Sequence, residues 1–304
     1  THYRHNSADP RSLSSDRVQV IYVDRANTVW AGTFDGGLNR FDAGAGKFQR
    51  FRHDSKDARS LSHDRVWSIL QTRDGTLWVG TDAGLNRFDP KTQTFERVQA
   101  GPDGPQSLGA IRIRVLYEDR AGRIWIGTVL GLFRYEPASG RVERFAHDPA
   151  NAASLSEDTV NALLEDRRGR LWVGTSSTGL NRLHEATGTF TQYAHDAQDP
   201  ESLGHDDIRA FLEDDSGVMW VGTRGGGLSR FDNNPPKFGL LRSDPEQPGT
   251  ARGSLSSDNV YAIAEEQTGV LWVGTWYGGL NRMDPATGRF TSFTLDPQDP
   301  ASLG

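Results

Sequence analysis

No cysteine occurs in the 304 residues, which excludes disulfides and thiolate metal sites. No apolar run approaches the roughly 18 residues of a membrane span, and the opening THYRHNSADPRSL does not read as a signal peptide. Positive charge is not in excess: 34 basic against 40 acidic side chains leave a net charge of −6, with both signs interspersed. A groove for nucleic acid is therefore not expected. Hydrophobic residues make up only 35%, yet aromatics reach 10%, and there are 34 glycines and 14 prolines. That mixture suits short strands joined by tight turns.

The chain repeats one phrase six times. VWAGTFDGGLNRFD, LWVGTDAGLNRFD, IWIGTVLGLFRYE, LWVGTSSTGLNRLH, MWVGTRGGGLSRFD and LWVGTWYGGLNRMD place tryptophans at Trp30, Trp78, Trp125, Trp172, Trp220 and Trp272, with gaps of 48, 47, 47, 48 and 52. Such a period belongs to propeller blades or to helical-pair repeats. The pattern inside one copy decides between them. In LSHDRVWSILQTRDGTLWVGTDAGLNRFDPKTQTFERV, residues 61–98, strands are expected at 66–71, 77–81, 85–88 and 94–98. Gly75 supplies the positive φ of the first turn, and Pro90 fixes φ in the last. No ten-residue amphipathic helix fits. The expected fold is all-β, a β-propeller of four-stranded antiparallel blades. Six complete repeats run over 12–53, 60–100, 107–147, 154–195, 202–243 and 254–296, in a single propeller region spanning 1–304.

Repeated residues should do repeated work. The tryptophan is large enough to fill an interface between blades. The following Gly-Thr allows close approach of backbone and offers a hydroxyl for a local hydrogen bond. Leu38, Leu85, Leu132, Leu180, Leu228 and Leu280 complete the core. The arginines two positions on, Arg40, Arg87, Arg134, Arg182, Arg230 and Arg282, are expected to pair with acids such as Glu118, Glu165, Glu213 or Glu265. His5, His53, His147 and His195 share one repeat position and read as loop caps, not as a metal site.

The phrases S-L-S-x-D-x-V, W-V-G-T-x-x-G-G-L-N-R-F-D and F-x-x-Y/F-x-H-D, seen in SLSSDRVQVIYVDRANTVWAGTFDGGLNRFD (12–42) and SLSEDTVNALLEDRRGRLWVGT (154–175), together resemble the two-component-regulator propeller repeat. The resemblance covers essentially the whole chain. It implies the periplasmic sensor region of an inner-membrane receptor, dimeric when whole, whose output half is a histidine kinase or a diguanylate cyclase. It also implies seven-bladed propellers, often in tandem, and ligands that are often oligosaccharides. The chain itself shows no phosphoacceptor motif and no nucleotide-binding lobe, so the expectation is a non-catalytic, ligand-sensing piece. Its partners would be a small-molecule ligand, an oligosaccharide among the options, and the neighbouring propeller or output domains. No cofactor, metal, nucleic acid or membrane insertion is expected. Residues 1–11 match the last strand of a preceding blade and 302–304 the start of a following one, as for part of, or nearly all of, a seven-bladed ring.

Variation at fixed repeat positions points to a site. The loop after Gly-Thr reads Phe34-Asp35, Asp82-Ala83, Val129-Leu130, Ser176-Ser177-Thr178, Arg224-Gly225 and Trp276-Tyr277. The second residue of strand one reads Gln19, Trp67, Arg114, Asn161, Arg209 and Tyr261. Strand one is innermost in a propeller, so these side chains should lie near the channel mouth. Trp276, Tyr277, Phe34, Asp35, Arg224, Arg114, Arg209, Gln19, Trp67 and Tyr261 form the candidate ligand site. Aromatic faces suit sugar rings, and arginines suit a uronic acid. The competing reading packs Trp276 and Tyr277 on a linker or a second propeller, and places Trp67 and Tyr261 in the core.

Other motifs carry less. GTRGGGLS (222–229) lacks the lysine of a phosphate loop, HEATG at His184 lacks the second histidine of a zinc helix, and no G-x-S-x-G occurs. Two rival functions stay open: a protein-interaction scaffold, and a propeller lyase, for which His63 and His205 lie on the candidate face.

Overall fold

The computed structural model describes residues 1–99, 107–233, 236–243, 254–284, 287–296, 298–299 and 302–303. Residues 100 and 304, which the expected boundaries include, lie outside these. The described strands form six four-stranded antiparallel blades of the β-propeller class, and no helix is present among the described residues. Contacts group the chain into two compact units, residues 1–145 and 146–304.

The first unit holds three blades. Their strands are Val18–Val23, Val29–Thr33, Leu38–Asp42 and Lys47–Phe51; Val66–Gln71, Leu77–Thr81, Gly84–Asp89 and Thr94–Arg97; and Ile113–Glu118, Ile124–Thr128, Leu132–Glu136 and Arg141–Phe145. The second unit holds blades four to six. These are Val160–Glu165, Leu171–Thr175, Leu180–His184 and Thr189–Tyr193; Ile208–Glu213, Met219–Thr223, Leu228–Asn233 and Pro236–Ser243; and Val260–Glu265, Leu271–Thr275, Gly279–Met283 and Phe290–Phe293. Within each blade the strands pair in sequence order. A two-residue strand, Ser254–Leu255, adds in parallel to the edge of blade five. Residues 1–11, expected as a strand, form turns and a single bridge between His5 and Leu13. A fourth strand needs a third strand beside it, and no described strand pairs with this segment.

The hairpin between strands one and two explains the tryptophan. In blade four Asp166 caps the turn, its Oδ1 accepting the Arg168 and Arg170 N–H groups at 2.9 Å, while its Oδ2 accepts the Trp172 indole N–H at 2.8 Å. Asp24 and Asp214 serve Trp30 and Trp220 in the same way, at 2.9 and 2.7 Å. The acceptor is the Thr72 hydroxyl in blade two and the Glu266 carboxylate in blade six, each in place of the aspartate. Burial alone would raise these aspartates, but the indole and backbone hydrogen bonds, led at Asp214 by the Ser216 hydroxyl, outweigh it and hold Asp24, Asp166 and Asp214 below the usual carboxylate range. The ring then fills the gap to the next blade: Trp30 meets Phe88 at 5.3 Å, Trp78 meets Tyr135 at 5.9 Å, and Trp172 meets Phe231 at 5.2 Å. Each such aromatic pair adds about 0.5–1.5 kcal/mol beyond its buried area.

Gly-Thr has two distinct duties. The threonine hydroxyl donates to the carbonyl at the end of its own loop, as Thr175 does to Gly179 at 2.9 Å. The glycine admits a side chain, where the sequence suggested backbone. A Cβ on Gly174 would lie 2.5 Å from Ile208 Cγ2, and one on Gly222 2.6 Å from Val260 Cγ1. Within each unit the β-branched residue opening the next blade thus seats on bare backbone.

The histidines cap loops as expected. His53 and His195 place Nδ1 at 2.8 and 2.6 Å from the Leu61 and Leu203 carbonyls, and their own N–H groups donate to Asp64 and Asp206. The repeated arginines find acids of their own blade in two cases, though not the acids named from the sequence. In the first three blades they reach across to strand four, Arg40 to Gln49, Arg87 to Glu96 and Arg134 to Glu143. Glu118 and Glu213 are already engaged by the preceding blade's turn, accepting the N–H groups of Arg73 and Arg167 at 2.8 and 2.6 Å.

Candidate functional site

Every strand one carries a break in register at the same place. The ladder slips between Val18 and Val20, Val66 and Ser68, Val160 and Ala162, Ile208 and Ala210, and Val260 and Ala262, and blade three does the same between Ile113 and Val115. The extra residues are Gln19, Trp67, Asn161, Arg209, Tyr261 and Arg114. A β-bulge frees one side chain from the pairing and re-aims it. The variable position of strand one is therefore the bulge residue. The loop after Gly-Thr joins it: Phe34, Asp82, Ser176, Arg224 and Trp276 each donate their backbone N–H to the residue just before strand one, at 2.9 to 3.2 Å. Bulge and loop are thus held side by side by the backbone.

In the second unit this brings Arg209, Arg224, Tyr261, Trp276 and Tyr277 together. Tyr261 and Trp276 are tilted by 31° with their centroids 5.3 Å apart, and Tyr277 stands edge-on to Trp276 at 5.2 Å. Trp276 is 53% exposed, Tyr277 95% and Tyr261 37%, so none of the three is a core residue. The Arg209 guanidinium lies 5.5 Å from the Tyr261 ring and donates to Asp207 Oδ2 at 2.6 Å. Arg224 approaches the same oxygen at 3.9 Å, and Asn161 Nδ2 bonds the Ile208 carbonyl at 3.2 Å. Arg209 Nε and Asn161 Oδ1 are buried and have no hydrogen-bond partner. The result is an aromatic shelf flanked by two guanidiniums, a carboxylate and an amide.

The Tyr277 backbone adds to this. Its φ is 59°, in the left-handed region that bulky residues avoid. At the equivalent place in blade five Gly225 has φ 96°. Glycine would serve the turn better, yet a tyrosine with almost its whole surface in solvent stands there. Strain of this kind, about 1–3 kcal/mol where it occurs, gathers at functional sites.

In the first unit the residues meet differently. Phe34 lies between two guanidiniums, with Arg17 3.6 Å and Arg65 3.7 Å from the ring centroid. Its faces are taken, so it is no platform for a sugar. Asp82 collects Arg65 at 2.8 Å, Arg112 at 2.7 Å and the Trp67 indole N–H at 2.6 Å. Trp67 is half-buried, with Arg114 5.4 Å from its ring. Asp35 sits 3.6 Å from Arg17. Gln19 is exposed at its bulge and, among the described residues, joins none of these contacts. The loops of blades three and four add nothing here: Val129 and Leu130 pack on the core, and Ser176 and Ser177 bind Glu157.

Arg17, Arg65, Arg112, Asp82 and Asp207 were not among the expected site residues. The available signal was the position just before strand one, which reads Arg17, Arg65, Arg112, Thr159, Asp207 and Asn259 along the chain. A cleft of about 1060 Å³ between blades one and two lies at the opposite end of the strands, near Trp30, Asp74 and Arg87. A cleft of about 740 Å³ recurs at equivalent positions between blades two and three. Such clefts follow from blade spacing and mark no special site.

The family model described as two component regulator propeller matches residues 12–35, 60–83, 107–129, 154–177, 202–225 and 254–277. No curated protein matches the chain. Structures of the extracellular domain of BT4673 from B. thetaiotaomicron, a putative one component or hybrid two component system, are 22% identical with TM-score 0.59, and cover 93% of this chain. This chain spans 42% of the length of those domains. A catalytically inactive virginiamycin B lyase from Staphylococcus aureus, solved with quinupristin, is 13% identical, with TM-score 0.68 over 98% of this chain and 89% of its own. PorZ, a surface component of the type-IX secretion system of Porphyromonas gingivalis, is 18% identical, with TM-score 0.67 over 92% of this chain and 40% of its own. At these identities the likeness is one of fold.

Proposed function

The chain belongs to the two-component regulator propeller family, and from that premise we propose that it is the ligand-sensing module of an extracytoplasmic signalling receptor. The module acts by binding and has no turnover of its own. The ligand is a small glycan-derived molecule that stacks on Trp276 and Tyr261, with Tyr277 at its edge. Arg209, Arg224 and Asp207 supply the donors and the acceptor that a sugar's hydroxyls require. The observation that carries this reading is Tyr277, held at positive φ and 95% exposed where glycine would be easier. Output passes to a kinase or cyclase domain elsewhere in the receptor. The likeness to a lyase rests on 13% identity and speaks for the fold, so a catalytic reading has no observation of its own.

A thermal-shift screen against neutral and uronic oligosaccharides, with Trp276→Ala beside the parent chain, tests the reading. A ligand that binds only the folded state stabilises it by about 2.7 kcal/mol at a hundredfold excess over Kd. The expected result is a rise in Tm with at least one sugar, absent in the variant. A rise of equal size in Trp276→Ala, or none with any sugar, overturns the platform.

A further inference from the structure

The arginines at one repeat position are confined to the first unit. The residue just before strand one is arginine in three consecutive blades, Arg17, Arg65 and Arg112, and is Thr159, Asp207 and Asn259 in the next three. The scaffold needs no arginine there, since the backbone contact made from this position is the same for Arg17, Thr159, Asp207 and Asn259. We infer that these arginines form a binding site for an oxyanion, the carboxylate or sulfate of a small ligand, built from other residues than the aromatic shelf of blades five and six.

Three features support a built site. The guanidiniums are oriented before any ligand arrives: Arg17 and Arg65 lie 3.6 and 3.7 Å from the Phe34 ring centroid, and Arg65 and Arg112 are each tied to Asp82. Stacking on a ring fixes the plane of a guanidinium while leaving its N–H edge able to reach a planar acid. Positive charge is also in excess. Asp82 is shared between two arginines and an indole N–H, and Asp35 meets Arg17 only at 3.6 Å, so three guanidiniums face two carboxylates. Access is the third feature, with the Arg17 and Arg112 side chains 59% and 40% exposed. Arg65 at the centre, on a shared carboxylate, positions its neighbours.

Isothermal titration of the full chain with sodium glucuronate, glucose and sodium sulfate tests this, using Arg17→Gln, Arg17→Gln with Arg112→Gln, and Trp276→Ala. Arg17 is exposed, so its variant keeps the parent Tm. Glucuronate and sulfate should both bind the parent chain, with affinity falling as NaCl is raised. Arg17→Gln should weaken both at least tenfold, the double variant should abolish binding, and Trp276→Ala should leave it unchanged. Sulfate binding with no glucuronate binding assigns the site to sulfate, and the reverse assigns it to carboxylate. Binding of neither anion, or equal affinity in the parent and the folded double variant, overturns the site. Loss in Trp276→Ala with Arg17→Gln unaffected also overturns it, by moving the acid to Arg209 and Arg224. Failure of the aromatic shelf would show instead as neutral oligosaccharides that never bind, with the anion results intact.

Discussion

Gly222→Ala and Gly274→Ala change the same word of the repeat in the same unit and should behave oppositely. At Gly222 a Cβ would meet Val260 Cγ1 at 2.6 Å, about 1 Å inside the optimal carbon–carbon separation. Neither partner can swing away easily, because Val260 is fully buried and opens the next blade's innermost strand. Inserting a methyl into such a site costs about 1–3 kcal/mol. At Gly274 the nearest atom is Ala262 Cβ at 3.5 Å, an ordinary contact. Alanine there restricts the unfolded chain and stabilises by about 0.4–1 kcal/mol. For a unit of this size 1 kcal/mol moves Tm by about 2–4 °C. Thermal unfolding followed by circular dichroism should therefore put Gly222→Ala roughly 2–12 °C below the parent and Gly274→Ala level with it or slightly above. Val260→Ala made together with Gly222→Ala should lose less than the two losses added, by at least about 0.5 kcal/mol. Equal losses at both glycines, or strict additivity in the double variant, would refute the claim that glycine is there to seat the next blade's side chain.

Three further outcomes are expected. Tyr277→Gly should relieve a left-handed residue worth about 1–2 kcal/mol, less the 0.5–1 kcal/mol that glycine costs through the unfolded chain; urea denaturation should show a small net gain while sugar affinity falls. The lowered pKa of Asp166 means that its contribution is complete above the ordinary value of 3.8 and disappears as pH falls through the lower folded value. A plot of Tm against pH for Asp166→Asn should accordingly be flatter than the parent's below about pH 4, and parallel curves would contradict the assignment. Asn181→Ala removes a buried amide that holds the linker through Ser156, accepting its N–H at 3.0 Å and donating to its Oγ at 2.8 Å; hydrogen exchange should show residues 154–158 opening more readily, at a cost of about 1–3 kcal/mol.

The blades were legible because each local signal agreed with the next. Period, turn glycine and alternation all placed strands at 66–71, 77–81 and 94–98, and the structure has Val66–Gln71, Leu77–Thr81 and Thr94–Arg97. The variable loop and strand-one positions could be read too, since six copies supply their own comparison. Their juxtaposition could not, because it depends on a bulge, and nothing in a strand's hydrophobic pattern marks an extra residue. The partners of polar side chains were also beyond reach. Trp172 finds Asp166 through the geometry of a turn, and Arg87 finds Glu96 across a strand pair, while the acids that sequence favoured were committed to a neighbouring turn. Arg17, Arg65 and Arg112 escaped for a simpler reason. They stand one residue before strand one, ahead of the strand positions whose variation marks the shelf.

The exposure of Trp276 allows the central claim to be tested directly. Of the eight tryptophans it alone is exposed, while Trp30, Trp78, Trp125, Trp172 and Trp220 are buried. Acrylamide quenching of tryptophan fluorescence therefore reports chiefly on the proposed platform. With the oligosaccharide that gives the largest thermal shift, the account predicts that the readily quenched fraction falls towards the level of Trp276→Ala. A sugar that stabilises the chain yet leaves that fraction unchanged would contradict it.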